Sequence, residues 1–152
     1  MSNRSGLFKV YKSSGAAQFS LIPPRRDPER GYVTKDGAVL LEVAPCKGKD
    51  ANGNIKAFWD QKISFAISVA DIAALMDQTK QPARLFHQHG GSNKAVQFQP
   101  GQGNFAGTYM LQVQSTKDGE TRKVAVPLTN GEYNLIMRLL VGCAAPKLIG
   151  WD

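Results

Sequence analysis

The sequence has few of the residues that cross-link a chain or anchor it in a membrane. Its two cysteines, Cys46 and Cys143, lie far apart and form no CxxC or Cys/His spacing, so we expect free thiols. No run of roughly 18 apolar residues occurs, and residues 1–12 lack the apolar core of a signal peptide. These absences predict a soluble protein of the cytoplasm or nucleoid with no membrane partner.

Motifs for catalysis are also missing. The chain has no GxSxG elbow and no GxxxxGK[ST] phosphate loop, and its two histidines fall together in His87-Gln88-His89. An HxH pair without neighbouring Cys, Asp or Glu supplies too few ligands for a closed metal site, and on a strand both rings would share one solvent-facing side. We therefore expect no enzyme, no metal and no other cofactor.

The charge of the chain is strongly unbalanced. Nineteen Lys and Arg against twelve Asp and Glu give a formal net charge of +7 at pH 7. Such a balance attracts polyanions over long range, although it does not name one. With 152 residues, 42% of them hydrophobic, the chain has the size and composition of a single globular domain spanning residues 1–152.

The first half is dominated by period-two alternation, which is typical of half-buried strands. Residues 8–12 and 17–21 alternate around a Ser13-Ser14-Gly15 turn, and residues 37–44 and 58–67 continue the pattern. Two stretches predict loops: the proline-rich, basic residues 23–31, and residues 46–56 with an Asn-Gly-Asn turn signal. Ser68 and Asp71 then form a capping box that predicts a helix to about Thr79.

The second half repeats this plan. Strands are predicted over residues 83–87, 95–98, 104–114 and 121–127, followed by a capping box at Thr129 and Glu132. Four strands and a capped helix thus occur twice, which indicates two sheets sharing one helical centre. The second helix, predicted over residues 133–142, is apolar around most of its circumference. We favour helix-to-helix assembly between protomers, with a fully buried core helix in a monomer as the alternative.

Five segments, spread over nearly the whole chain, carry a resemblance to the Whirly family of single-stranded-DNA-binding proteins. Residues 11–17 resemble the start of that family's YKGKAAL motif, and residues 35–45 (KDGAVLLEVAP) resemble its KEGFVLLQFAP strand. Residues 59–62 match W-x-x-K, residues 86–87 fall at FFHDP, and residues 145–152 resemble LPHLIGW. The chain departs from the family in lacking the second lysine of YKGKAAL, in a longer first turn, and in LFHQH for FFHDP.

The resemblance implies an α+β fold of two antiparallel four-stranded sheets packed crosswise around a helical core, with ββββα repeated twice. It also implies a homotetramer assembled through the helices, and single-stranded DNA lying along the sheet edges with its bases in hydrophobic and aromatic pockets. Kinetoplastid guide-RNA-binding proteins are similar in fold, so the fold alone does not decide between DNA and RNA.

Single-strand binding needs cations for phosphates and flat rings for unstacked bases. The candidate residues are Tyr11, Lys12, Lys47, Lys49, Phe58, Trp59 and Lys62. Trp59 has an open alternative, because its parity on the predicted strand matches that of the apolar Ile63 and Phe65, which would place its ring in the core. Arg25, Arg26 and Arg30 form a second basic group in the proline-rich loop.

The predicted function is single-stranded DNA binding with little sequence specificity, in DNA maintenance, replication, repair or transcription. Two alternatives stay open: an RNA-binding or annealing protein of the same fold, and an oligomeric scaffold that binds protein and whose basicity is incidental.

Overall fold

The computed structural model describes residues 5–77 and 83–151, which form eleven strands and three α-helices. The strands, numbered along the chain, are β1 (Ser5–Tyr11), β2 (Gly15–Ile22), β3 (Arg25–Arg26), β4 (Val33–Lys35), β5 (Ala38–Lys49), β6 (Ile55–Ala57), β7 (Ile63–Ile67), β8 (Ala83–His89), β9 (Ser92–Pro100), β10 (Tyr109–Lys117) and β11 (Glu120–Leu128). The helices are α1 (Val69–Asp77), α2 (Asn130–Arg138) and α3 (Ala145–Leu148), and a π-helical segment, Leu139–Ala144, joins α2 to α3.

The first sheet has the antiparallel strand order β1-β2-β5-β7, and β6 pairs with the far end of β5. Phe19, Leu41 and Phe65 are register partners across β2, β5 and β7, and each is at most 3% exposed. Because side chains alternate along a strand, this register gives the sheet one apolar face and one polar face.

The second sheet is an antiparallel meander, β8-β9-β10-β11. Its turn between β10 and β11 consists of Asp118 and Gly119, both with positive φ (52° and 79°), as a two-residue hairpin turn requires. Val96 and Val113 are register partners with 0% exposure, so this sheet also turns an apolar face to the core.

The two sheets approach each other closely at Gly15 on β2. A Cβ atom there would lie 2.5 Å from the carbonyl oxygen of Ala125 on β11, so the glycine allows a backbone approach that a side chain would prevent. The helices complete the same core with Ile72, Ile136, Leu140 and Leu148, each at most 2% exposed. None of the helices in the described ranges has the length and apolarity needed to cross a bilayer.

The α+β class with mostly antiparallel sheets is confirmed, and both capping boxes are present. Ser68 and Asp71 exchange hydrogen bonds of 3.1 and 2.9 Å, and Thr129 and Glu132 exchange bonds of 3.1 and 2.8 Å. Four strands followed by a helix describes the second half, whereas seven strands precede α1 in the described first half. The crosswise packing of two four-stranded sheets stays a prediction, since the first sheet here contains five strands.

Several element boundaries differ from the predicted ones. The basic stretch 23–31 was predicted as loop, but Arg25–Arg26 pairs with Val33–Lys35 as a two-stranded ribbon. The prediction that strand 104–114 begins before Tyr109 is wrong, because a 3-10 turn, Gly103–Phe105, precedes that strand. The second helix continues past residue 142 through the π-helical segment to Leu148, and the predicted end of α1 at Thr79 lies outside the described residues.

The second helix is partly covered within the chain. Ile136 and Leu140 are buried at 1% exposure, whereas Leu135 is 45% and Val141 37% exposed. One apolar side therefore faces the core and the other faces outward, so the alternative of a fully buried helix in a monomer is wrong, and assembly between protomers stays a prediction.

Candidate nucleic-acid interface

The face of the first sheet opposite the core carries polar and aromatic side chains. On β1, Val10 points into the core, so Lys9 and Tyr11 lie on the outer face. Lys9 is the register partner of Gln18, and Gln18 is that of Glu42, which places three polar residues in a row across β1, β2 and β5.

All seven predicted binding residues lie around one end of this sheet. We call this region the strand-end surface, and its members are Tyr11, Lys12, Lys47, Lys49, Phe58, Trp59 and Lys62. The turn that holds Lys12 reaches Gly15, whose register partner is Pro45, and the Pro45 carbonyl accepts the backbone N–H of Phe58 at 2.9 Å. Segments distant in sequence therefore meet at this end.

Tyr11 and Trp59 form an aromatic pair within the strand-end surface. Their ring centroids are 6.2 Å apart and their planes are nearly perpendicular, at 84°. Tyr11 is 44% exposed, and Trp59 is half-buried and outside the core cluster. The open alternative that placed Trp59 in the core is therefore wrong, and the exposed part of the Tyr11 ring is accessible to a ligand.

The prediction that Phe58 and Trp59 lie on a strand over 58–67 is also wrong. Trp59–Gln61 is a 3-10 turn, closed by N–H groups of Gln61 and Lys62 that donate to the carbonyls of Phe58 and Trp59, and the strand starts at Ile63. The guanidinium of Arg122, on β11 of the second sheet, donates to the Gln61 carbonyl. Because the turn satisfies its own donors and receives this bond from outside, the ladder with β5 does not extend to Trp59.

The lysine-rich segment predicted as a loop is instead a β-hairpin formed by the end of β5 and β6. Lys47 and Lys56 are register partners and both are exposed, and Lys49 follows toward the tip. The tip is closed by Asp50, whose carboxylate accepts the backbone N–H groups of residues 52 and 54, both at 2.9 Å. Lys56 Nζ lies 5.9 Å from the Phe58 ring centroid, so cations and an aromatic ring share one arm.

Lys62 forms an ion pair with a carboxylate that is almost fully buried. Its Nζ lies 2.6 Å from Glu42 Oε2, while Gln18 donates to Oε1 at 3.0 Å. The Glu42 side chain is 4% exposed and that of Lys62 is 46% exposed. The ammonium therefore compensates a buried charge, and its predicted contact with phosphate stays a prediction.

Lys12 is paired as well, with Glu132 in the capping box of α2 at 2.8 Å. Burial alone would raise the pKa of Glu132, but hydrogen bonds from Lys12 and Thr129 and the attraction of the Lys12 charge lower that pKa below its usual value. The first β-turn is thereby attached to the start of the second helix.

A groove between the edges of the two sheets contains further polar groups. Lys94 on β9 donates to the Ser64 carbonyl on β7 at 2.7 Å, and the His87 ring stacks on Phe65 with centroids 4.0 Å apart. His87 Nε2 also lies 2.8 Å from Asp71 Oδ2, in the capping box of α1. A cavity of about 480 Å³ is lined by Ser64, Phe65, His87, His89 and Lys94. Among the described residues, no group of three potential metal ligands comes together.

Sequence reasoning missed Arg122 and Lys94. Each reaches across to the other sheet through a single hydrogen bond, and no local pattern marks such a contact. Both belong to alternating polar strand segments, in which a charged residue is usually interpreted as solvated.

Comparisons with known proteins complete this description. Residues 10–139 match the family model described as Whirly transcription factor. The structure of WHY1 from Arabidopsis thaliana superposes with a TM-score of 0.81 at 22% identity, covering 97% of this chain and 86% of that chain. The plant transcriptional regulator PBF-2 gives 0.76 at 20% identity, covering 97% and 84%. A trypanosome MRP1/MRP2 structure reaches only 0.46 at 15% identity, covering 92% and 82%. Among curated proteins, no sequence matches significantly.

Proposed function

Since this chain belongs to the Whirly family, we propose that it binds single-stranded nucleic acid, DNA in preference to RNA, with little sequence specificity. No catalytic step belongs to this proposal. The family model and the superpositions support the fold, and the argument for the ligand comes from the strand-end surface.

The Tyr11–Trp59 pair is the observation that carries the proposal. Unpaired bases expose π-faces that any aromatic ring can cover, whereas a duplex keeps those faces stacked inside. The perpendicular arrangement fixes the two rings against each other, and Tyr11 is exposed over nearly half of its surface. A ring held in this way can stack on a base with little loss of side-chain entropy.

The lysines of the β5–β6 hairpin supply the attraction for phosphates. Lys47, Lys49 and Lys56 are exposed along this arm, next to the aromatic residues. If all three contact phosphates, the log–log salt dependence of binding should have a slope of about −2, at about 0.7 per contact on single strands. Their spacing along an extended arm suits a flexible backbone that follows the hairpin.

The exposed apolar side of α2 and of the π-helical segment that follows it supports assembly into a homotetramer. Leu135 and Val141 expose 45% and 37% of their surface beside the buried Ile136 and Leu140. Covering these side chains with the same helix of a second copy would remove apolar surface from water. In such an assembly each protomer contributes one strand-end surface.

Competition for a labelled single strand tests the function. Unlabelled single-stranded DNA, duplex DNA and single-stranded RNA of equal length compete at one salt concentration, and we expect the order single-stranded DNA, then RNA, then duplex. Tyr11→Ala should weaken binding by about 1–3 kcal/mol with the salt slope unchanged, and Tyr11→Phe, which keeps the ring, should bind like the native protein.

Equal competition by duplex DNA would reduce the protein to a general polyanion binder. RNA competing better than DNA would favour the RNA-binding alternative. If no nucleic acid competes, the oligomeric scaffold that binds protein becomes the better hypothesis.

A further inference from the structure

A second group of aromatic and cationic side chains lies at the opposite end of the first sheet. There the segment after α3 folds back onto the ribbon formed by β3 and β4. The Gly37 N–H donates to the Leu148 carbonyl at 2.9 Å. The Arg26 guanidinium donates to the carbonyls of Gly150 and Gly31, at 2.6 and 2.9 Å.

The backbone at Gly150 is fitted to this contact. Gly150 has φ of +95°, and a Cβ there would lie 2.5 Å from Val33 Cγ2 and 2.9 Å from Arg26 Nη2. Only glycine adopts this conformation at this separation without strain. The C-terminal segment and the ribbon are therefore held in one defined arrangement.

A cavity of about 440 Å³ opens at this junction, lined on its polar side by Arg26 and Lys147 and on its aromatic side by Trp151. This volume lies within the range of about 300–1,000 Å³ that small-molecule sites occupy. Trp151 is 71% exposed, so its indole is accessible to a ligand. Two carbonyl bonds orient the Arg26 guanidinium but leave its charge and three of its five donors available.

The nearest further cations on the ribbon belong to a different cavity. Arg25 and Lys35 are register partners, and they line a neighbouring cavity together with Asp36. Asp27, the nearby carboxylate of the ribbon turn, accepts the backbone N–H groups of Glu29 and Arg30 at 3.0 and 2.6 Å. The positive charge that lines the pocket itself therefore comes from Arg26 and Lys147.

We propose that this pocket binds a phosphorylated nucleoside, with the base stacked on the Trp151 indole and the phosphate held by Lys147 and Arg26. Neither an apolar ligand nor an inorganic anion alone would use both sides of the cavity. The pocket lies apart from the strand-end surface. Leu21, which lines it, is five residues along β2 from Ala16, the register partner of Tyr11, or roughly 17 Å away.

Tryptophan fluorescence tests the pocket directly. The chain has two tryptophans, so Trp59→Phe leaves Trp151 as the sole reporter. We expect saturable quenching by dAMP, and little change with deoxyadenosine or inorganic phosphate at the same concentrations. Lys147→Gln should raise the Kd for dAMP about tenfold, as loss of one charge-assisted hydrogen bond predicts. Lys117→Gln, which removes an equal charge at the distant β10–β11 turn, should leave the Kd unchanged.

Two further experiments identify the source of the ligand and show whether a variant has lost binding because it no longer folds. A trinucleotide with a 5′-phosphate that binds better than dAMP would identify the end of a strand, and preference for dAMP a free nucleotide. Calorimetry with Trp151→Leu, in a chain that keeps Trp59, should show loss of dAMP binding with unchanged melting. The proposal would be overturned if deoxyadenosine or inorganic phosphate quenched the fluorescence as strongly as dAMP does. An unaltered Kd for dAMP in Lys147→Gln would overturn it as well.

Discussion

The ion pair between Lys62 and Glu42 allows a sharp test of whether Lys62, on the outer face of the first sheet, stabilises the fold, binds phosphate or does both. In the free protein the ammonium lies 2.6 Å from a carboxylate whose side chain is 4% exposed. Lys62→Met removes the cation and retains the apolar stem. The carboxylate then keeps the hydrogen bond from Gln18 but loses the ion pair with Lys62.

The expected cost lies between two limits. Breaking a fully buried pair by removing one partner costs about 3–5 kcal/mol, whereas an exposed pair contributes about 0–1 kcal/mol. Because the Lys62 side chain is 46% exposed, water screens the interaction, and we expect about 1–2 kcal/mol. For a chain of this size that lowers Tm by about 2–8 °C.

Removing the other partner of this ion pair should strengthen the binding of single strands. Glu42→Gln releases Lys62 from its carboxylate, so single strands should bind more tightly and the salt dependence should steepen by up to about 0.7. Glu120→Gln, at the β10–β11 turn, makes the same change in net charge as a control. The double variant of Lys62→Met and Glu42→Gln should recover the melting temperature but not the gain in affinity.

Melting curves and salt-dependent affinities on these four variants decide the matter. If Lys62→Met melts like the native protein, the ion pair contributes nothing to stability and the electrostatic reasoning is wrong. If Glu42→Gln binds no more tightly than Glu120→Gln, Lys62 does not contact phosphate.

Three further predictions concern the strand-end surface and the second helix. Trp59→Ala should weaken single-strand binding by about 1–3 kcal/mol and cost at least about 0.5–1.5 kcal/mol of stability through loss of its ring pair. Phe105→Ala, which removes the ring of a residue that is 70% exposed elsewhere, should bind normally. Loss of folding in Trp59→Ala would return Trp59 to a core role. Because the pKa of Glu132 is lowered in the folded protein, its carboxylate stabilises the fold above the ordinary pKa of 4.5, and this stabilisation is lost as pH falls through the lower pKa of the folded state. The unfolding free energies of the native and Glu132→Gln proteins should therefore converge at acid pH. A difference that stays constant with pH would contradict this. Light scattering should give the mass of about four chains. Cys143 is exposed in the single chain, and its thiol should react slowly until dilution separates the protomers. A monomer with a rapidly reacting thiol would exclude the tetramer.

Local features were correctly predicted because their causes are local. The capping boxes at Ser68 and Thr129 depend on side chains three residues apart, and the sequence shows that spacing directly. Alternation revealed which residues of β2 and β7 face the core, since a strand with one buried face must repeat every second residue. The candidate residues themselves were chosen by residue type and by the family resemblance, and their role in binding stays a prediction.

Errors occurred where a distant segment supplied the missing interaction. Polar, lysine-rich residues after Pro45 indicated a loop, but pairing with β6 extends β5 to Lys49. Alternation continued through Trp59, but the 3-10 turn closes its own hydrogen bonds and is bonded by Arg122 from the other sheet. Strand pairing of this kind is decided by backbone partners, which a local pattern of side chains does not specify.

The sequence by itself determined the basic charge, the α+β class and the residue types available for binding, because composition, periodicity and capping are properties of short stretches of chain. Only the tertiary structure decided that Tyr11 meets Trp59, that Lys12 and Lys62 are neutralised by Glu132 and Glu42, and that Arg26 holds the segment carrying Trp151. Each of these contacts joins residues from separate elements. Their existence depends on how the sheets and helices pack together, and packing is settled by the free energy of the whole core rather than by any one segment.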